Sequence, residues 1–241
     1  DYTVAEYQKQ AQGCIEDIQS RGKLPILTGG SGLYYQAVVD NYDFLPLDGQ
    51  PEVRRRLEQR GKREGLQALY GTLKEVDPIY AGIIGGNDRK RIIRALEVYE
   101  ITGKPFSQTQ RKQSPNYDLI SIGLTMERAL LYERIESRVD RMLSDGLLEE
   151  VEALRRRGYS LRHKALNSLG YRQTLQYLEG KIGYDDMVNR IKMESRRFAK
   201  RQLTWFKRDE RIQWIGVAAD DDTDDIYKKI SNILAKELFL M

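Results

Sequence analysis

Three groups of residues in this sequence have the types and spacing to handle phosphate. The first is Gly29-Gly30-Ser31-Gly32, which follows the short apolar run Leu24-Pro-Ile-Leu-Thr28. Glycines there let main-chain amides approach a phosphate or a base, and the Ser31 hydroxyl can donate or accept a hydrogen bond. A glycine turn after a strand also serves plain packing, and the lysine that would make this a P-loop is absent. The second is Asn167-Ser-Leu-Gly-Tyr-Arg-Gln173, a loop opening a helix with Arg172 in its first turn. A cation is disfavoured at that end of a helix, so either an anion such as a diphosphate or an acidic neighbour must account for it.

The third group is the most concentrated. On a wheel of about 100° per residue, Arg190, Arg197, Arg201 and Arg208 fall in a stripe about 40° wide, with Met187, Val188, Ile191, Phe198, Trp205 and Phe206 on the neighbouring apolar face. Stacked like charges repel, and Glu194, Asp209 and Glu210 offer the nearby relief. A phosphate backbone is the natural partner of such a stripe, and a solvated face is the alternative. Two further basic sets are Arg54-Arg55-Arg56 with Arg60, Lys62 and Arg63, and Arg89-Lys90-Arg91 with Arg94. Arg91 and Arg94, three apart, can share a helix face, while Ile92, Ile93 and Leu96 turn toward a core. Tyr70, Tyr80 and Tyr99 could stack on unpaired bases but equally fill a core, and none is assigned as a base platform.

These residues need elements to hold them. Val4 to Gly22 reads as an amphipathic helix, Leu24 to Thr28 as a buried strand, and Leu33 to Asp40 as a helix, the local grammar of a parallel α/β sheet. After Pro46 and Pro51 the pattern is helical to about Phe106, punctuated by Asp77-Pro78 and Gly85-Gly86-Asn87-Asp88, and Gln113-Ser-Pro115 closes it. Leu119 to Leu124 reads as a second buried strand, followed by a long helix to Gly146. Helices are expected at Leu147 to Arg157, Tyr171 to Glu179 and Tyr184 to Lys207, then a strand at Arg211 to Val217 and a helix from Asp224 to Leu238. The expected class is therefore α/β, a parallel-sheet core in two parts, 1–46 and 115–241, around an all-helical insertion at 47–114. Three strands are too few for a doubly wound sheet, and the first helix has no strand before it, so the chain is expected to begin partway through a domain.

Composition narrows the classes. With 241 residues, 40% hydrophobic and 32% charged, the chain can bury an ordinary core. It holds no apolar run near the roughly 18–20 residues that span a bilayer, and its first residues have no signal-peptide pattern, so a cytoplasmic protein without membrane partners is expected. Cys14 and His163 are the only residues of their kinds, which excludes a disulfide framework and a Cys/His zinc site within one chain. A hard cation such as magnesium stays open. The net charge of +4 is modest, but the clustering of arginine suits a polyanionic partner.

Taken together, Gly29-Gly-Ser-Gly-Leu-Tyr34, Asp77-Pro78, Asn87-Asp-Arg-Lys-Arg-Ile-Ile-Arg-Ala-Leu-Glu-Val98, Leu169-Gly-Tyr-Arg-Gln173 and Ala199-Lys-Arg-Gln-Leu-Thr-Trp205 resemble the bacterial tRNA dimethylallyltransferase (tRNA isopentenyltransferase) family, in its order and spacing and over nearly the whole chain. The resemblance implies a P-loop-kinase-like core, a helical insertion that grips the tRNA anticodon stem-loop, and transfer of a dimethylallyl group from dimethylallyl diphosphate to N6 of the adenosine 3′ of the anticodon, with Mg2+. It implies catalytic and tRNA-contacting roles for Ser31, catalytic and diphosphate-binding roles for Arg172, and tRNA contacts from Arg54, from Lys90, Arg91, Ile92, Ile93 and Arg94, and from Arg197, Phe198, Ala199, Lys200, Arg201 and Gln202. A monomer is expected. Ser31 stands where the family usually has threonine, which keeps the hydroxyl with a looser rotamer. The family's P-loop and proposed general-base aspartate lie upstream of the equivalent of Asp1, so this polypeptide by itself is expected not to catalyse the reaction. The competing expectations are an adenylate isopentenyltransferase, which would need no basic insertion, a non-catalytic RNA-binding fragment, and a P-loop small-molecule kinase, which would leave the arginine stripe unexplained.

Overall fold

The computed structural model describes residues 2–44, 50–109 and 117–239. The chain divides into two compact units, Asp1–Asp118 and Leu119–Met241. The expected boundaries at 46/47 and 114/115, together with Pro46 and Gln113-Ser-Pro115, lie outside the described residues.

The first unit opens with α1 (Val4–Ser20), capped by Thr3, whose hydroxyl accepts from the Glu6 amide while the Glu6 carboxylate accepts from the Thr3 amide. It stops at Gly22, where a φ of 65° lets the Gly22 and Lys23 amides bond back to Gln19 and Ile18. The buried Gln8 then ties α1 to the end of α2 (Gly32–Val39): its Nε2 donates to the Ala37 carbonyl at 2.8 Å and the Tyr42 carbonyl at 3.0 Å. Tyr7 and Tyr34 stack between the same two helices, ring centroids 4.5 Å apart.

Between these helices the structure departs from expectation. Leu24 to Thr28 is not a buried strand but a largely exposed segment outside any helix or strand, with Ile26 83% exposed. A strand needs a neighbour to take up its amides and carbonyls, and among the described residues no strand pairs with this one. An apolar run supplies the side chains of a strand and not its ladder.

A helical cluster follows: α3 (Pro51–Glu64), α4 (Leu66–Val76), α5 (Pro78–Ile84), α6 (Arg89–Thr102) and the single turn α7 (Phe106–Thr109). Leu57, Leu69, Leu73, Ile92 and Leu96 are buried at its centre. Pro51 and Pro78 sit at first-turn positions, where a missing N–H costs nothing. The buried Asp77 accepts from the Tyr80 amide and from both the amide and the hydroxyl of Ser107, so Asp77-Pro78 is a helix start that also fastens α7. Asp88 caps α6 through the Arg91 amide, and Gly103 ends it in the left-handed conformation.

The second unit runs β1 (Ser121–Met126), α8 (Arg128–Ser144), α9 (Leu147–Arg156), a 3-10 turn at Lys164–Asn167, α10 (Tyr171–Leu178), α11 (Tyr184–Phe206), β2 (Ile212–Val217) and α12 (Thr223–Phe239). β1 and β2 are parallel, with Ser121 opposite Ile212, and the crossover between them carries α8, α9, α10 and α11. Gly123 faces Trp214 across the pair, and a Cβ there would come within 2.9 Å of the indole ring, so only glycine lets the two strands close. Val139, Leu147, Val151, Leu166, Leu175, Met187 and Ile191 form a core among α8, α9, α10 and α11. Among the described residues the architecture is thus mixed α/β, mostly helical, with a two-stranded parallel sheet where three strands were expected.

Candidate nucleic-acid interface

Met187 and Ile191 are fully buried and fix which side of α11 meets the core. The remaining cations then divide by environment. Toward α8, Lys192 pairs with Asp140 at 2.6 Å and Arg196 with Glu136 at 2.5 Å. Arg190, Arg197, Lys200, Arg201 and Arg208 are exposed, and among the described residues only Arg190 forms an ion pair, with Asp186 at 3.9 Å. Arg197, Lys200 and Arg208 make no ion pair among the described residues. Arg197 and Arg201 on α11, with Lys200 between them, present unneutralised positive charge that a phosphate chain can approach.

Phe198, expected on the packed face, is instead 48% exposed, with the Arg201 guanidinium 5.8 Å from its ring centre. It lies at the edge of the apolar face, where the core beneath α11 no longer reaches it. An exposed ring beside a guanidinium is a surface on which an unpaired base can stack. Ala199 and Gln202 are half-buried.

Arg172 occupies the first turn of α10, and the acidic neighbour exists: its Nη2 donates to Glu194 at 2.5 Å. The turn itself is built by Gly170, at a φ of 92°, whose amide donates to the buried Gln173 side chain, while the Thr174 hydroxyl donates to the Gly170 carbonyl. Glu194 lies on the arginine-bearing side of α11, one turn from Arg190 and from Arg197. The carboxylate that would have relieved the stripe is therefore spent on Arg172, and Arg172 stands beside the stripe. One of its five N–H donors is engaged, and the others remain for an anion.

In the first unit a second device holds two of the expected residues together. Glu97, only 7% exposed, accepts from Arg54 at 2.7 Å and Arg94 at 2.8 Å, so α3 and α6 share one carboxylate between two half-exposed guanidinium groups. The group keeps a net positive charge facing solvent. Arg56 pairs with Glu100, Arg91 with Asp88 at 3.3 Å, and Lys90 is exposed. Ile92 and Ile93 belong to the core of the helical cluster, so their side chains cannot serve as contacts to a surface ligand: on a helix, residues one and two apart from Arg91 and Arg94 face elsewhere.

Ser31 immediately precedes α2, exposed, and its hydroxyl is not used to cap the helix. The glycines around it do not take positive φ. Arg172 is tied through Glu194 to α11 one turn before Arg197, and Arg54 and Arg94 share Glu97, an acid that the Asn87–Val98 motif already contains. Glu97, three residues after Arg94, had a readable helical spacing; Glu194 was visible only as a charge in the stripe. Among the described residues no three His, Cys, Asp or Glu side chains converge to hold a metal.

The family model described as IPP transferase matches residues 1–209. The tRNA dimethylallyltransferase of Syntrophomonas wolfei is 47% identical over 234 residues, 97% of this chain and 76% of that protein. The enzyme of the same name from Carboxydothermus hydrogenoformans is 47% identical over 232 residues, 95% of this chain and 74% of that protein. Among solved structures, the full-length tRNA isopentenylpyrophosphate transferase of Bacillus halodurans superposes with a TM-score of 0.68 at 36% identity, covering 99% of this chain and 74% of that one. A eukaryotic dimethylallyltransferase acting on tRNA gives a TM-score of 0.76 at 26% identity, over 98% of this chain and 63% of that one.

Proposed function

The chain belongs to the IPP transferase family, and from that premise we propose that it serves dimethylallyl transfer to tRNA, from dimethylallyl diphosphate to N6 of the adenosine 3′ of the anticodon. The observation that carries the reading is the unpaired arginine row of α11 with Arg172 beside it: one stretch of surface with charge for an RNA backbone and a separate guanidinium for a diphosphate.

The chemistry explains why both are needed. The exocyclic amine of adenine is a weak nucleophile because its lone pair is delocalised into the ring, so the base must be extruded and the leaving group well held. N6 forms a bond to C1 of the dimethylallyl group, the C1–O bond breaks with its electron pair going to the diphosphate, and N6 loses a proton to a base. Negative charge grows on the departing diphosphate, and Arg172, oriented by Glu194 with donors to spare, stabilises it there. Ser31 orients the amine, and Arg54, Lys90, Arg91 and Arg94 hold the anticodon stem-loop. The diphosphate would carry magnesium as its counter-ion.

No described helix is long and apolar enough to cross a membrane, and we place the activity with tRNA in the cytoplasm, carried by a monomer. The rival acceptor is a free adenine nucleotide. Against it stand the Arg54–Glu97–Arg94 group and the α11 row, which a mononucleotide cannot occupy. Competition between unmodified tRNA and AMP for a labelled dimethylallyl group, in the natural gene product, separates the two: label in tRNA supports the reading, and label in AMP alone overturns it.

A further inference from the structure

Residues 155–164, Arg-Arg-Arg-Gly-Tyr-Ser-Leu-Arg-His-Lys, carry five arginines and lysines and no acid. None of them belongs to the surfaces assigned above. Glu152 takes up Arg155 at 2.6 Å and Arg156 at 3.1 Å. Arg157 and Arg162 are exposed and make no ion pair among the described residues.

The segment is also ordered by its own bonds. α9 ends in a turn at Gly158, φ 86°, with the Gly158 amide on the Arg155 carbonyl and the Tyr159 amide on the Leu154 carbonyl at 3.2 Å. The next turn is closed by the His163 amide on the Ser160 carbonyl at 2.9 Å, and the Ser160 amide lies 3.1 Å from His163 Nδ1. Asn167 Nδ2 donates to the Leu161 carbonyl at 2.6 Å. These bonds set two rings edge to face, Tyr159 and His163, with centroids 5.2 Å apart, and the Arg157 guanidinium lies 5.9 Å from the Tyr159 ring. Tyr159 is 40% exposed.

We propose that this loop, through Arg157, Tyr159, Arg162 and His163, is a further RNA-binding surface that takes a phosphodiester segment of the tRNA and stacks one of its unpaired nucleotides on Tyr159. The inference rests on the tRNA reading above. Free guanidinium groups satisfy phosphates, and an exposed ring held beside them is what unpaired RNA uses. Because the loop is already fixed, little ordering is left to oppose binding. An acidic protein would engage the arginines and leave the ring pair without a role. A lipid surface would want apolar side chains, and the loop's one aliphatic residue, Leu161, is half-buried.

The test is binding of an unmodified tRNA transcript to this chain over a range of salt, for Arg157→Ala/Arg162→Ala, Tyr159→Ala, Tyr159→Phe and, in parallel, Arg197→Ala/Arg201→Ala. The loop arginine pair is expected to lower the slope of log K against log salt by about 1.5 units. Tyr159→Ala should weaken binding about five- to a hundredfold with the slope kept, and Tyr159→Phe, which retains the ring, should bind as the parent does. If the loop variants bind like the parent while the α11 pair weakens binding, this inference fails and the tRNA reading stands. If neither set matters, the tRNA reading itself fails. Equal losses toward heparin and tRNA with Tyr159→Ala silent would leave only a polyanion patch and overturn the stacked nucleotide.

Discussion

Arg172 and Glu194 are joined at 2.5 Å, linking the first turn of α10 to the arginine-bearing side of α11. The pair makes the two binding tasks interdependent in a way the sequence did not indicate. With Arg172→Ala, Glu194 is released one turn from Arg190 and Arg197 and neutralises one of them. Besides the loss of donor use, tRNA binding should then lose about 0.7–0.9 units of salt slope, and Arg172→Ala/Glu194→Ala should restore it. Filter binding across salt checks this. A slope unchanged in the single variant would mean that Glu194 does not act on the stripe.

Glu97 is a positioning residue whose loss should be read first as stability. Glu97→Gln weakens two charge-assisted bonds at a nearly buried carboxylate, but both arginines are half-exposed and can rehydrate. The expected cost is about 1–2 kcal/mol in urea unfolding, toward the low end for bonds to a charged group. An unfolding midpoint equal to the parent's would show that α3 and α6 set the arginines without it.

Phe198→Ala should separate surface from core. A half-exposed ring contributes little to the fold, so the melting temperature should hardly move, while stacking on an unpaired base is worth about 1–3 kcal/mol of RNA affinity. A large drop in melting temperature would return Phe198 to the packed face.

The Glu152 carboxyl gives a pH signature. Hydrogen bonds from Arg155, and then Arg156, hold it at about 2, below the ordinary unfolded value of about 4.3. A depressed carboxylate stabilises the fold fully above its unfolded pKa and loses that contribution as pH falls through the folded one. The difference in melting temperature between the parent and Glu152→Gln should stay constant from pH 7 to about 5 and close between about pH 4 and 2. A difference that persists unchanged at pH 2 would remove the ion pairs from the account.

The helices were legible because apolar residues recur at helical spacing, as at Leu131, Ile135, Val139 and Met142: α8, α10 and α11 lie within two residues of expectation, and Met187 and Ile191 mark the core side. Leu24 to Thr28 was not, because strand identity depends on a partner that no local pattern specifies. Phe198 misled for a related reason: a wheel shows where a side chain points and not where its neighbours end. The arginines themselves could be read from type and spacing. The hold of Glu97 on Arg54 and of Glu194 on Arg172 could not, since each crosses a helix–helix contact and a single helix wheel has no second helix in it.

The central claim is that donor and RNA are held by separate arginine sets, and one crosswise measurement tests it. In the natural gene product, KM for dimethylallyl diphosphate and Kd for unmodified tRNA are measured for Arg172→Ala/Glu194→Ala and for Arg197→Ala/Arg201→Ala. The first variant is expected to raise KM and leave Kd and its salt slope in place. The second should weaken Kd, lower the slope by about 1.5 units and leave KM in place. Parallel shifts of both constants in both variants would contradict the division and make the arginines one undivided anion site.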